Sequence, residues 1–291
     1  MTQLLVVGSV ALDDLTGPFG EVTGEPGGSA VYFALAAALF APVAVHAPVG
    51  RDHGARFRAL LSGRPHPVDL AGLVEVDAAT YRWRAHQAGG DNVDGGGRDT
   101  VYDHWRPTPL PGFAGWAFLG SMRADRQAEA AARLPAARLF GDSMRSYVAS
   151  LPGEAAELVR RCHWFFANEE ELTALGGNPA AADEFRRQAR LEGLVVKSGA
   201  GGATAYQEAG AIHVPALRSR PVVDVTGAGD ALAGGMLGRW LALGGGAEGV
   251  RDALLHGAAC ASIAIADIGV RSLAEARPED IEERVAELQA A

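Results

Sequence analysis

The chain has 291 residues, 48% of them hydrophobic and 21% charged, the balance of a globular protein rather than a disordered one. Acids outnumber bases by 35 to 26, for a formal charge of −9, and no cluster of Lys or Arg supplies the basic footprint of a nucleic-acid binder. Two cysteines, Cys162 and Cys260, lie far apart in sequence, which excludes a disulfide framework or a zinc knuckle and makes a reducing, cytoplasmic compartment the expectation.

Met1–Gln3 carries no basic stretch, and Asp13 and Asp14 follow an apolar run too short for a signal peptide. Gln3–Gly8 reads as a strand buried on both faces of a parallel sheet. Ser29–Gly50 contains no Asp, Glu, Lys or Arg, a length of chain that invites comparison with a membrane span. Pro42 and Pro48 interrupt it, with His46 between them. The expectation is therefore no membrane segment, but a buried Ala-rich helix over about 29–40 and then a strand, Val43–Val49. Apolar strands recur at Trp116–Leu119, Ala137–Phe140, Trp164–Ala167 and Leu194–Lys197. Helical stretches rich in Ala, Arg and Glu separate several of them: Arg126–Arg133, Glu154–Arg161 and Pro179–Leu191. Strand alternating with helix predicts an α/β fold around a mostly parallel sheet. Thr80–Pro111 breaks the pattern. Tyr81–His86 reads as a polar and aromatic strand, Ala88–Asp99 as a Gly-rich turn, Thr100–Tyr102 as a return strand, and Pro107, Pro109 and Pro111 as the close of a protruding hairpin.

The strongest chemical signal is Asp224-Val225-Thr226-Gly227-Ala228-Gly229-Asp230, between a strand-like Pro221–Val223 and an apolar helix over Ala231–Leu243. Gly227 and Gly229 allow a sharp turn and close backbone approach to a ligand. Amides at a helix N-terminus, reinforced by the helix dipole, suit a phosphate or the charge on a transferring phosphoryl group. Asp230 falls in the first turn, where these groups favour its ionised form, and a carboxylate there is placed to take a proton from an attacking hydroxyl. A dinucleotide fingerprint fails at Leu232, where a third glycine belongs, and a Walker A loop is excluded because the only lysine is Lys197.

Residues 224–237 resemble the C-terminal signature of the ribokinase-like (PfkB) family of sugar and nucleoside kinases. Other family-like segments follow along nearly the whole chain: Gly8–Asp13, Gly27–Ala30, the turn Gly50–Gly54, Asn168–Glu171, Lys197–Gly202 and Gly269–Ser272. The resemblance implies one domain over 1–291 with the family's three-layer sandwich and a small β lid built from about 12–26 and 80–106. It implies transfer of the γ-phosphate of ATP to a primary hydroxyl of a small sugar or nucleoside, with Asp230 as base and Gly227, Ala228 and Gly229 as anion hole. Asp13, Gly27, Gly28, Ser29 and Tyr32 would face the acceptor, and Asn168, Glu171, Lys197, Gly199 and Gly202 the nucleotide. Glu171 would help place Mg²⁺ through water, as suits that ion, and Asp224, with the Thr226 carbonyl, is a candidate for K⁺. The lid also makes a homodimer conceivable.

Where relatives place an asparagine after the di-glycine, this chain has Tyr32, which either stacks on the acceptor or packs in the core. The short Asp14–Pro26 segment makes the lid small and puts its dimerising role in doubt. Tyr32, Trp83 and Tyr102 tilt the acceptor toward a nucleoside or an aromatic-stacked sugar. A lone lysine at a strand end either reaches a phosphate as a point charge or is incidental. Asp142 and Arg145 also end a strand, where α/β sheets bind ligands, and structural and functional readings are level there. Two rivals stand beside the kinase: a non-catalytic sugar- or nucleotide-binding homologue, opposed by the presence of Asp230, and an esterase built on Gly141-Asp142-Ser143, whose Ser143 has no identifiable base. The eight histidines are scattered without ligand spacing on a helix, so metal hydrolysis has little support.

Overall fold

The computed structural model describes residues 4–88, 91–108 and 113–290. Residues 1–3, 89–90, 109–112 and 291 lie outside the described residues, and with them Gln3 of the expected first strand, part of the Gly-rich turn, Pro109 and Pro111.

Strand β1 (Leu4–Val7) runs into β2 (Ala11–Gly17), which turns back as β3 (Gly20–Gly27). Helix α1 (Ser29–Ala37), β4 (Val43–Gly50), α2 (Gly54–Leu61) and β5 (Val68–Val76) follow. The excursion β6 (Tyr81–Ala88) and β7 (Asp91–Arg98) comes next, then β8 (Trp116–Leu119), α3 (Ala124–Arg133), β9 (Arg138–Gly141), α4 (Arg145–Ser150), α5 (Pro152–Arg161), β10 (Trp164–Asn168) and α6 (Glu169–Ala174). The chain finishes with α7 (Ala182–Gln188), β11 (Gly193–Lys197), the hairpin β12 (Ala203–Gln207) and β13 (Gly210–Val214), then α8 (Ala228–Ala242), α9 (Val250–Ala264), α10 (Arg271–Glu275) and α11 (Pro278–Ala290).

Among the described residues the main sheet has nine strands in the order β13-β12-β11-β10-β9-β8-β1-β4-β5. All neighbours pair in parallel except at the β11-β12 and β12-β13 edge. Successive side chains of a strand point to opposite faces, so each central strand feeds two cores. Leu4 and Val6 join one core with α1, α8, α9 and α11, while Leu5 and Val7 join the other with residues of α3, α5, α6 and α7. The result is the expected three-layer α/β sandwich. The strand order reverses at β1, whose neighbours are β4 and β8, and such a reversal opens a crevice at the carboxyl ends of the strands.

A second sheet, β3-β2-β6-β7, stands over that crevice. Strand β2 pairs in parallel with β6, placing Ala11 opposite Tyr81 and Asp13 opposite Trp83 on one face. The stretch expected as a Gly-rich turn is mostly strand β7, and Thr100–Tyr102, expected as a return strand, lies in a 3₁₀ turn over Thr100–His104. The reason is pairing: β6 supplies a ladder that overrides the weak strand preference of Asp94–Gly97. Pro221–Val223, expected as a strand, lies in no sheet.

Helices α1 and α8 touch through glycine. A Cβ at Gly234 would overlap the Phe33 carbonyl oxygen, and one at Gly238 would stand 2.8 Å from that of Ala37. No helix among the described residues is long and apolar enough to cross a membrane; Ser29–Gly50 forms α1 and β4.

Candidate active site

Helix α8 begins at Ala228, three residues earlier than the hydrophobic pattern predicts. Gly227 is its N-cap in the left-handed region, with φ of 73°, and a Cβ there would overlap the Tyr32 ring. Only glycine satisfies both demands. Ala231 donates the first helical bond to the Gly227 carbonyl, at 2.9 Å. The Ala228 amide turns back to the Val225 carbonyl at 3.3 Å. This corrects the expected anion hole: among the described residues the amides left without a partner in this turn are those of Gly227, Gly229 and Asp230, because Ala228 closes the turn itself.

Asp224 organises the approach to this turn. Its Oδ1 accepts from the Thr226 amide at 3.0 Å and the Thr226 hydroxyl at 2.7 Å, and its Oδ2 accepts from the Gly269 amide at 2.9 Å. The loop at 269 is thereby tied to the α8 N-terminus.

Asp230 faces a cavity at the switch point. Ser9, Ser121 and Met144 line it from the strand ends, Gly28, Ser29 and Tyr32 from the α1 end, and Asp13, Tyr81 and Trp83 from the second sheet. Tyr147 of α4 closes one side. Asp13 is 2% exposed and its Oδ1 has no partner. Burial, and then the charges of Asp224, Asp14, Asp230 and Glu25, raise its carboxyl well above the ordinary range. Gly27 makes room for it, since a Cβ there would overlap the Asp13 carboxylate. The Ser29 hydroxyl is already engaged, donating to the Ser121 carbonyl at 2.7 Å and accepting from the Ser9 amide at 3.0 Å. The Tyr32 hydroxyl is buried without a partner. Tyr102, by contrast, is fully buried in the core beside Tyr81 and Trp105, so it does not line the cavity.

The expectation that the helix amides favour ionised Asp230 meets an opposing effect. Burial, and next the Asp142 carboxylate, raise the Asp230 carboxyl to about 7 against the opposing pull of Lys197. Desolvation outweighs the helix amides.

The ends of β9, β10 and β11 deliver the nucleotide-side candidates. Asn168 and Glu171 form a capping box: the Glu171 amide donates to Asn168 Oδ1 and the Asn168 amide to Glu171 Oε2, each at 2.8 Å. Burial raises the Glu171 carboxyl despite Lys197 nearby. Lys197 is not incidental. Its Nζ lies 2.7 Å from Asp142 Oδ2 and 3.8 Å from Glu171 Oε2. Burial alone would lower the ammonium, but Asp142 and Glu171 outweigh it and hold it charged. Gly199 and Gly202 frame the 3₁₀ turn after β11 with φ of 51° and 91°. Arg145 points outward, paired with exposed Glu170 at 2.7 Å. Ser143 Oγ is buried without a hydrogen-bond partner, so the esterase arrangement has no base on its nucleophile.

Sequence reasoning missed two contacts. Thr80, which precedes β6, donates from its hydroxyl to Asp52 at 2.6 Å, fixing the Gly50–Gly54 turn to the base of the second sheet. At the far end of that sheet, Asn92 Nδ2 donates to Thr226 Oγ1 at 2.9 Å, so β7 reaches the α8 turn. A separate hollow of about 290 Å³, lined by His213, Val214, Pro215, Arg251, Leu255 and Leu288, holds none of these groups.

A phosphate-ready helix end, an acid beside it and a switch-point cavity under a small sheet define a small-molecule phosphotransferase. The model of the pfkB family of carbohydrate kinases matches residues 116–277, more than half of the chain, and the chain belongs to that family of sugar and nucleoside kinases. A cytidine kinase from Thermococcus kodakarensis is 27% identical over 252 residues, covering 81% of this chain and 88% of the relative. The nucleoside kinase of Methanocaldococcus jannaschii shares the fold with a TM-score of 0.76 at 18% identity, over 98% of both chains. Aminoimidazole riboside kinase from Salmonella enterica, complexed with aminoimidazole riboside and an ATP analog, gives 0.77 at 21% identity, over 97% of this chain and 99% of that one. A fructokinase double mutant from Vibrio cholerae, with fructose, ADP and potassium bound, gives 0.77 at 18% identity over 98% of both.

Proposed function

We propose that this chain is a nucleoside kinase, transferring the γ-phosphoryl group of ATP to a primary hydroxyl of its acceptor. One observation carries the chemistry: the partner-free amides of Gly227, Gly229 and Asp230 and the Asp230 carboxylate occupy one helix end facing the cavity. The acceptor O–H gives its proton to Asp230, the oxygen forms a bond to the γ-phosphorus, and the bond to the β-phosphate oxygen breaks to release ADP. The free amides stabilise the charge on the phosphoryl oxygens. Asp13, with one oxygen unsatisfied, accepts an acceptor hydroxyl, and burial keeps it hungry for that partner.

Two aromatic side chains support a nucleoside over a bare sugar: Trp83 and Tyr147, both half-buried, line the cavity and offer flat faces for a base. The name of the cytidine kinase relative points the same way. The second sheet acts as a lid over about 11–27 and 81–98, excluding water that would otherwise compete as acceptor.

The donor set fits Mg²⁺ held loosely. Glu171, capping α6 at the end of β10, would help hold the ion through water, as suits a cation that keeps much of its hydration. When bound, it neutralises phosphate charge. Asp224 orders the loops at 226 and 269, and a monovalent cation beside it would act on the same loops.

The test is ADP release with ATP and Mg²⁺ over nucleosides, pentoses, hexoses and keto-deoxy sugar acids, with and without K⁺. Nucleosides should give the highest kcat/KM. A preference for a hexose or a sugar acid would overturn the acceptor assignment while leaving the kinase assignment intact.

A further inference from the structure

Asp142 belongs to none of the segments that resemble the family signature, yet both of its carboxylate oxygens are engaged. Its Oδ1 accepts from the Ser143 amide at 2.7 Å and its Oδ2 from Lys197 Nζ at 2.7 Å. Its carbonyl accepts from Gln127 Nε2 at 2.6 Å, and that same amide group also reaches the carbonyls of Leu119 and Gly120 at 3.1 and 3.0 Å. Asp142 is 3% exposed. Lys197, 55 residues away, is the only lysine in the chain. Its side chain crosses the end of β10 to reach Asp142, because β11, β10 and β9 are neighbours in the sheet. The ammonium makes one hydrogen bond, since Glu171 at 3.8 Å is too far for a second. It then lies over the α8 turn: a Cβ at Gly229 would stand 2.8 Å from Nζ.

We propose that Asp142 is a positioning residue that holds the Lys197 ammonium over Gly229, where it adds a fixed positive charge to the anion hole for the transferring phosphoryl group. This rests on the phosphotransfer reading above. An ammonium with two N–H groups to spare, beside amides that also lack partners, completes a site that is otherwise ringed by the acids Asp142, Glu171 and Asp230. A lysine acts there as a point charge on a flexible stem, so its placement depends on what holds it. Asp142 touches neither reactant and acts through Lys197.

The experiment compares wild type with Asp142→Asn, Lys197→Met and the double variant. It measures kcat and KM by ADP release, ATP and ADP affinity by calorimetry, and melting temperature. Lys197→Met should lower kcat by about 100-fold, the scale of losing one anion-hole donor, and weaken ATP more than ADP. Asp142→Asn should lower kcat by about 10-fold with little change in acceptor KM, as for an interaction made in the transition state. The double variant should match Lys197→Met within about twofold, since residues acting as one unit are not additive. Lys197→Met leaves the buried Asp142 uncompensated and Asp142→Asn leaves Lys197 with only the more distant Glu171, so both should lower the melting temperature, whereas the double should regain stability without regaining turnover.

A double variant that recovers turnover along with stability would show a purely structural ion pair and overturn the proposal. So would losses that multiply. If no alcohol acceptor yields ADP with wild type, the phosphotransfer reading fails by itself. The calorimetric comparison still decides whether Lys197 faces the terminal phosphate: equal losses for ATP and ADP in Lys197→Met would reject it.

Discussion

Replacing Asp230 by asparagine separates its chemistry from its electrostatic burden. The folded protein raises this carboxyl from 3.8 to about 7, with burial as the main cause. A shift of roughly three units at ~1.36 kcal/mol each sets a ceiling of ~4 kcal/mol on the cost of keeping Asp230 ionised. Solvent in the cavity reduces the realised share, so ~2 kcal/mol is the expectation. The sign follows from proton linkage: the folded state binds the extra proton between the two values, so stability falls as pH rises from about 4 to 7 and stays low above it. Asp230→Asn carries no charge to bury. It should melt ~4–8 °C above wild type at pH 8, using the ~2–4 °C per kcal/mol of a protein near this size. At pH 5 the difference should be much smaller. Turnover should fall by ~10²–10⁴, the usual contribution of a general base. Wild-type kcat should rise with pH through about 7 as Asp230 ionises. Thermal melts at both pH values and a coupled ADP assay supply the measurements. An equal stability gain at pH 5 and pH 8, or near wild-type turnover in Asp230→Asn, would refute the reasoning.

Gly227→Ala should destabilise by at least ~1–2 kcal/mol from its positive φ alone, before the overlap with Tyr32, and denaturant titration should show the lowered midpoint. Trp83→Ala removes an aromatic wall of the cavity and should raise acceptor KM about 10-fold with ATP KM unchanged; an acceptor KM equal to that of wild type would remove Trp83 from acceptor binding. Asn92→Ala cuts the bond from β7 to Thr226 and should raise the ratio of ATP hydrolysis to acceptor phosphorylation, read as ADP formed without acceptor; an unchanged ratio would show that this contact does not govern water exclusion.

The sheet was legible because its strands are short apolar runs buried on both faces, and Trp116–Leu119 falls where the sequence places it. The glycine turn before α8 was legible because its backbone demands are written in residue type. What stayed hidden depends on partners distant in sequence. Asp91–Arg98 has little strand preference and becomes a strand only against β6. Val68–Val76, absent from the sequence reading, is a largely exposed edge strand with Ala71 and Gly72 at its middle, and it is ordered by pairing with β4. The Asp142–Lys197 pair joins residues from two strand ends, and nothing local in either segment announces it. Asp230's raised pKa arises from burial and from neighbouring carboxylates, neither of which a motif records.

The glycine seam between α1 and α8 bears on how the enzyme can move. One helix carries the cavity-lining Ser29 and Tyr32, the other carries the glycine turn and Asp230. With backbone pressed on backbone at Gly234 and Gly238, these two halves share a single chassis and have no slack to slide past each other. In the proposed kinase, opening and shutting then fall to the overlying sheet, and the seam fixes the distance from the α1 wall of the cavity to the α8 turn. Evolution toward a bulkier acceptor would have to work through the roof, because spreading the floor would pull the base away from its target.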